Sequence, residues 1–384
     1  MTMRSYVDWV SGAALPLFLA RGVDPATGLF RERLHLDGTP DADADLRLRT
    51  HMRQAYVFAH AAILGLLPRE AAVGTAVAAM DGIRARAWAP DGRPGWVHRL
   101  SGDGRVVDAK RDLYDHAFVL HALAWMGAAT DDPRYHAWAD ETLDAIDTVM
   151  AAEAGGWAES DARELPRRQN PHMHLFEACL ALHETSGAPR HLARAAEIVG
   201  LFRTRFFDEE IGTLREFFGP RWEIDADRSW RLDPGHMMEW VWLLRRYARS
   251  AGQPVARHTA ALFAAAERLG FGGGDFLLDE VDAAGRPASD GRRLWPQTEY
   301  LKACLVEYEA SGDEAYLAKA DTMAGRMMAT YLNGALPGLW VDRFDLAGGV
   351  AVDHVPASIL YHLLAPVVEY LRLLPNPASL HGPR

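Results

Sequence analysis

Cysteine is nearly absent from this chain. The 384 residues contain two, Cys179 and Cys304, far apart and in no Cys-x-x-Cys pair. That excludes a disulfide framework and a cysteine-rich metal site. An excess of positive charge is absent too. Forty-one Lys and Arg face 52 Asp and Glu, a formal charge of −11 at pH 7, and there is no basic run. Nucleic acids are bound chiefly through their phosphates, so a nucleic-acid partner is not expected. No apolar run reaches the ~20 residues that span a bilayer. The stretch 10–20 (VSGAALPLFLA) follows Asp8, has only Arg4 as a cation before it and lacks a small-x-small site. It reads as the apolar face of a first helix rather than a leader. The expected compartment is the cytoplasm, with no membrane partner.

What is present is an ordinary globular composition, 49% hydrophobic and 24% charged, which excludes disorder and a coiled-coil rod. Twelve Trp, eleven Tyr and sixteen His are a heavy load. Such side chains suit a polar, ring-shaped ligand, though a large core uses them as well.

Apolar residues recur at spacings of three and four, as in Val57, Phe58, Ala61, Ala62, Leu64 and in Phe118, Leu120, Leu123, Ala124. This is helical periodicity. Asp132-Pro133, Asn170-Pro171, Asp233-Pro234 and Val355-Pro356 place proline at first helical positions. About twelve helices are predicted, starting near residues 4, 50, 69, 112, 133, 170, 189, 235, 254, 295, 313 and 356. The even-numbered members recur at a period of roughly sixty residues. Links from even to odd helices are short and rich in turn residues, which makes those pairs antiparallel neighbours. Links from odd to even helices are long: 21–49, 90–111, 154–169, 208–234, 270–294 and 333–355. Six helical hairpins closing in a ring would set the even helices inside and all six long loops on one rim. The predicted fold is therefore all-α, an (α/α)6 barrel in one domain over 1–384, with short β-hairpins in the rim loops. An open α-solenoid binding protein along a concave face is the alternative.

The starts of the even helices carry the chemistry. They bring Arg53, then Tyr114 and His116, then Asn170, His174 and Glu177, then His236, Glu239 and Trp240, then Trp295, Gln297 and Glu299, and finally His362, with His354 in the loop before it. Groups so distant in sequence converge only if the ring closes. Taken singly, each has a plainer reading as core or as a capping partner. His236 follows the N-cap Asp233 within one helical turn, where the positive helix end disfavours imidazolium. It is expected to be neutral and to serve as a general base. His172 and His174 are two apart, so only one of them can face the lumen of a helical ring. Glu177 shares a face with His174. A cation such as Arg53 on an inner face needs a carboxylate or an oxygen-rich ligand. There is no His-Glu-x-x-His and no Asp-rich calcium loop, so neither metal nor cofactor is expected.

Together, Arg53-Gln54-Ala55-Tyr56-Val57-Phe58, Leu113-Tyr114-Asp115-His116-Ala117-Phe118, Asn170-Pro171-His172-Met173-His174-Leu175-Phe176-Glu177-Ala178 and Pro234-Gly235-His236 with Glu239-Trp240 resemble the N-acylglucosamine 2-epimerase superfamily. The resemblance spans nearly the whole chain in the same order, and implies an (α/α)6 barrel. It also implies metal-free proton transfer at C1 and C2 of a reducing sugar through a cis-enediol or enediolate, between two histidines. Those match His236 and His362, with His354 second to His362, and Arg53 would stabilise the developing oxyanion. Tyr114, His116, Asn170, His174, Glu177, Glu239, Trp240, Trp295, Gln297, Glu299 and His354 are the candidate sugar contacts. Many epimerases carry a basic residue where Asp353 stands here, and Tyr361-His362 resembles the Tyr-His of mannose isomerases. The expected activity is thus an aldose–ketose isomerase on an unphosphorylated sugar, mannose to fructose, with 2-epimerisation as the alternative and a glycoside hydrolase more remote. The expected partner is a small sugar, and the expected assembly a monomer or homodimer.

Overall fold

The computed structural model describes residues 2–272 and 275–374; Met1 and residues 273–274 and 375–384 of the expected 1–384 unit lie outside them. Among the described residues twelve helices follow one another. The first, α1, runs over 3–21 as Met3–Trp9, a π-helical turn Val10–Ala14 and Leu15–Arg21. Then come α2 (Leu48–Ile63), α3 (Arg69–Ala87), α4 (Leu113–Thr130), α5 (Arg134–Val149), α6 (Gln169–Ser186) and α7 (Pro189–Leu201). The last five are α8 (Pro234–Ala251), α9 (Ala256–Gly270), α10 (Leu294–Ser311), α11 (Glu314–Thr330) and α12 (Ile359–Leu373). None of them is long and apolar enough to cross a membrane.

Burial sorts these helices into two rings. The even helices are buried nearly all round: α4 hides Leu113, Asp115 to Gly127 and Ala129. The odd helices bury one stripe, as α7 does with His191, Ala195, Ile198 and Val199. A helix apolar around its whole circumference belongs inside, and one with a single stripe lies outside. The inner helices pack in cyclic order, α2 on α4, α4 on α6, α6 on α8, α8 on α10, α10 on α12, and α12 back on α2. This closed contact cycle makes the molecule an (α/α)6 barrel and not an open solenoid.

The rim closes in the same way. Each long loop is β-paired to the next: Leu46 to Leu100, Asp112 to Ser160, Arg167 to Phe218, Leu232 to Val281 and Arg292 to Phe344. Val355 then pairs with Leu34, joining the last loop to the first. This circular belt is why long loops without helices of their own stay ordered, since neighbours satisfy their backbone groups.

The first five inner helices begin in two alternating ways. Before α2, the Arg47 amide and Nε donate to the Glu32 carboxylate at 3.0 and 2.6 Å. Before α6, Arg168 donates in the same manner to Glu159 at 2.6 and 2.7 Å. Before α10, the Arg293 amide donates to Asp279 at 2.7 Å and its Nε lies 3.2 Å from that carboxylate. By contrast, α4 and α8 start on Asp112 and Asp233, whose carboxylates accept from the Asp115 and His236 amides. Both devices occupy the free N–H groups of a helix start. At the far end, α8 and α10 stop at Gly252 and Gly312, with φ of +65° and +73°. Left-handed backbone there turns the chain directly into the outer helix.

Candidate active site

Inside the rim lies a polar cavity of about 370 Å³. Its wall includes Arg53, Tyr114, Asn170, His174, His236, Glu239, Trp295, His354 and His362, so all six inner helices or their leading loops contribute. A roomier hollow of about 700 Å³ lies on the flank of the rim near Ala151–Ala154 and Arg163–Leu165, and no histidine lines it.

Arg53 is 6% exposed. Its Nη2 donates to the Tyr114 hydroxyl at 2.8 Å, and its guanidinium lies 4.1 Å from the Phe118 ring centroid and 5.0 Å from that of Tyr361. Among the described residues no carboxylate pairs with it, and its Nε has no partner. A buried cation on aromatic faces without an anion is ready to receive an anionic oxygen.

His236 sits in the first turn of α8 as expected, but its protonation is the reverse of the expectation. Its Nδ1 lies 3.1 Å from both oxygens of Glu216, 20 residues earlier in a rim loop, and 3.5 Å from Asp233. Burial opposes the charge, yet the Asp233 and Glu216 carboxylates outweigh it and raise the imidazole to about 10. The helix-end effect is therefore overridden, and His236 is an imidazolium at neutral pH.

His362 has the opposite surroundings. A carboxylate can only accept, so Nδ1–H donates to Glu299 at 2.9 Å, and Nε2 is left with a lone pair. Burial, then Arg53, Lys302 and His174, hold this imidazole well below its ordinary value. Trp295 stands beside both rings, its centroid 5.2 Å from His236 and 5.7 Å from His362.

The floor is acidic. His174 Nδ1–H donates to Glu177 at 3.1 Å, and the Tyr361 hydroxyl donates to the same carboxylate at 2.6 Å. Glu239 has no hydrogen-bond partner on either oxygen. Burial, reinforced by Glu299 and Glu177 against Lys302, pushes it well above its ordinary carboxyl value. Ligand atoms of His174, Glu177 and Glu239 lie within 4.8 Å of one another, as do those of His98, Asp112 and Asp115. The first set is tied up internally by the His174 and Tyr361 hydrogen bonds. The second holds a His98–Asp115 contact of 2.5 Å with Arg49 and Lys110 beside it. Neither set is assigned to a cation.

The sequence candidates divide into three groups. Arg53, Tyr114, Asn170, His174, His236, Glu239, Trp295, His354 and His362 line the cavity. Glu177 and Glu299 lie beneath it and hold lining residues. His116, Gln297 and Trp240 stand outside it, which corrects their reading as sugar contacts. His116 Nδ1–H donates to the Asp112 carbonyl at 2.8 Å, and Nε2 accepts the Trp96 amide at 3.0 Å. His172 does the same with Arg168 and Trp157. Gln297 ties Arg293 and Leu277 in the matching position of α10. All three rivet a rim loop to its helix. Burial lowers His116 to about 4, which keeps both hydrogen bonds of the neutral ring. Trp240 donates to Gln169 at 2.7 Å and stacks on Phe176 and Phe202 in the core between the rings. Of the histidine pair on α6, His174 is the one facing the lumen.

Several lining or supporting groups escaped the sequence reading. Arg49 and Asp342 line the cavity, while Glu216 and Lys302 act from behind it. Glu216 lies in an unpatterned loop and carries no signal. The recurrence of arginine just before α2, α6 and α10 is a signal that the period of paired hairpins exposes.

An acid, a base and an unpaired guanidinium around one polar cavity suit proton transfer next to a carbonyl whose oxygen becomes negative. Comparison with known proteins finds isomerases and epimerases. The N-acylglucosamine 2-epimerase (GlcNAc 2-epimerase) family matches residues 28–366. A protein of Rhizobium meliloti named mannose-6-phosphate isomerase is 35% identical over 94% of this chain and 94% of its own. A D-mannose isomerase of Thermobifida fusca is 29% identical over 75% of each. The structure of cellobiose 2-epimerase from Bacillus thermoamylovorans superposes with a TM-score of 0.86 at 19% identity, over 96% of this chain and 98% of that one. With residues 28–366 matched and the rim histidines gathered as described, the chain belongs to the N-acylglucosamine 2-epimerase family.

Proposed function

We propose that this protein is a cofactor-free aldose–ketose isomerase that converts D-mannose to D-fructose, with the whole barrel as its catalytic domain. The observation that carries this reading is the pair of histidines with opposite proton occupancy beside the unpaired Arg53. His362 Nε2 accepts the C2 proton of the open-chain aldose. The C–H electron pair becomes the second C1–C2 bond, and the carbonyl electrons move onto O1. Arg53 stabilises that oxygen, and the His236 imidazolium is the acid that protonates it. Return of the carbon-bound proton from His362 to C1, with the O2 proton passing to the now neutral His236, gives the ketose and restores both histidines. Tyr114, Asn170, His174, Glu239 and Trp295 bind and orient hydroxyls.

An unphosphorylated sugar is favoured by charge. Of the lining arginines, Arg47, Arg49 and Arg293 already face Glu32, Asp115 and Asp279, which leaves Arg53 for the enediolate. The names of the mannose isomerase relatives support the choice of sugar. Proton delivery to the opposite face of C2, instead of to C1, gives the 2-epimer, and the placement of two rings against Trp295 supports that second reading.

The test is NMR of D-mannose with purified protein in deuterated water containing chelator. Fructose confirms the isomerase; glucose without fructose makes the protein a 2-epimerase. Turnover of mannose 6-phosphate alone overturns the unphosphorylated substrate.

A further inference from the structure

Lys302 is a fully buried charge that the reaction does not use directly. It lies on α10, fully shielded from solvent. Its Nζ is 2.6 Å from Glu299 Oε2, one turn earlier on the same helix. Its remaining face lies 3.5 Å from the Trp242 ring centroid. The other oxygen of Glu299 accepts from His362 Nδ1 at 2.9 Å. A chain thus runs from ammonium through carboxylate to imidazole, and ends at the Nε2 that faces the cavity.

Buried ammonium groups are costly and persist only where a partner compensates them. Here three buried carboxyl groups, Glu177, Glu239 and Glu299, interact with this one lysine. Burial raises Glu299 to about 7 even with Lys302 opposing that shift. Without the ammonium its proton would be held still more tightly.

Building on the proposed role of His362, we propose that Lys302 is a positioning residue that keeps Glu299 a carboxylate and thereby keeps the His362 proton on Nδ1 and its Nε2 free to accept. Loss of Lys302 acts in one direction by either route. If Glu299 protonates, it no longer holds the Nδ1–H tautomer, and the base returns only when alkali removes the Glu299 proton. If Glu299 stays ionised, an unscreened carboxylate stabilises the imidazolium, and again the base returns only in alkali. The other groups acting on His362 are Arg53 from α2, His174 from α6 and Arg293 from the rim, with the Tyr361 ring 4.7 Å away, while Glu177, Glu239 and His236 act on its neighbours Glu299 and Tyr361. Glu177 and Glu239 also feel Lys302, so its loss makes them hold their protons more tightly as well; the others are not altered by a substitution at 302.

The experiment compares wild-type, K302M, K302R and the K302M/E299Q double variant. It reads the pH dependence of kcat and KM on mannose, and the titration of the His362 ring by NMR, assigned by its loss in H362Q. The expected result for K302M is an acid limb moved up by about one pH unit or more, equivalent to a roughly tenfold loss at neutral pH that alkali restores. KM stays within about threefold, because substrate contacts are retained. K302R restores the limb, and K302M adds no shift in the E299Q background. If K302M fails to fold, K302Q carries the same expectation. An unmoved acid limb and unmoved His362 titration in a folded neutral variant overturn the proposal. A shifted His362 in a protein that turns over no sugar overturns the activity reading and leaves the Lys302 assignment standing.

Discussion

His236 and His362 share Trp295 as a neighbour and differ in charge. Two carboxylates, Asp233 and Glu216, raise the first to about 10, while burial and nearby cations hold the second well below its ordinary value. Two titratable groups driven apart by their surroundings are the basis of the acid and base roles proposed for them.

Removal of either ring is the first expectation. H236Q and H362Q should each lose roughly 10²- to 10⁴-fold in kcat with an unchanged helical circular dichroism spectrum. A folded H362Q enzyme with near-normal turnover would show that another group, such as His354, takes the C2 proton.

Arg53 should act on the rate more than on binding. R53Q is expected to lower kcat by about 10²- to 10³-fold with a smaller change in KM, because the oxyanion forms only on the way to the enediolate. Steady-state kinetics on mannose decide it; an equal rise in KM with unchanged kcat would make Arg53 a ground-state contact.

The alkaline side of the pH–rate profile should report His236. Activity is expected to persist through neutral pH and fall as the imidazolium loses its proton near 10. E216Q removes one of the two carboxylates, so its alkaline limb should move to lower pH. The stability contribution has the same sign. A raised folded value stabilises fully below the ordinary histidine value of about 6.5 and loses its effect as pH rises through the folded value. Denaturant midpoints of wild-type and E216Q should therefore converge in strong alkali.

His116 should matter for stability and little for chemistry. H116F leaves the Trp96 amide without its acceptor and the Asp112 carbonyl without its donor. Orphaned buried groups of this kind cost about 1–3 kcal/mol each, measurable by urea unfolding. A loss of turnover at unchanged stability would return His116 to the site.

Both thiols should be silent in the native state. Cys179 and Cys304 are fully buried, and burial pushes Cys179 up to about 12 and Cys304 higher still. A chromogenic disulfide reagent is expected to react only on unfolding.

Much of this protein was legible in the sequence. Periodicity and proline or glycine punctuation located all twelve helices to within a few residues, because those signals are local. The alternation of short and long links fixed which helices are inner and where the loops gather. Arg53, His174, His236, Glu239 and His362, singled out from the motifs, line the cavity for the same reason, since each lies at a set place in an inner helix start.

What only the tertiary structure decided is which groups meet across the ring, and through them the charges. Glu216 reaches His236 from a loop with no pattern and, with Asp233, raises the imidazole that the helix end alone would have kept neutral. Lys302 reaches the floor from the buried face of α10 and balances carboxylates from three helices. His116, Gln297 and Trp240 looked like rim residues and turned out to face the belt and the core, because a helix presents its residues to different neighbours every 100° of turn. Helix boundaries follow from neighbours along the chain. Protonation and site membership follow from neighbours in space, and the ring must close before they exist.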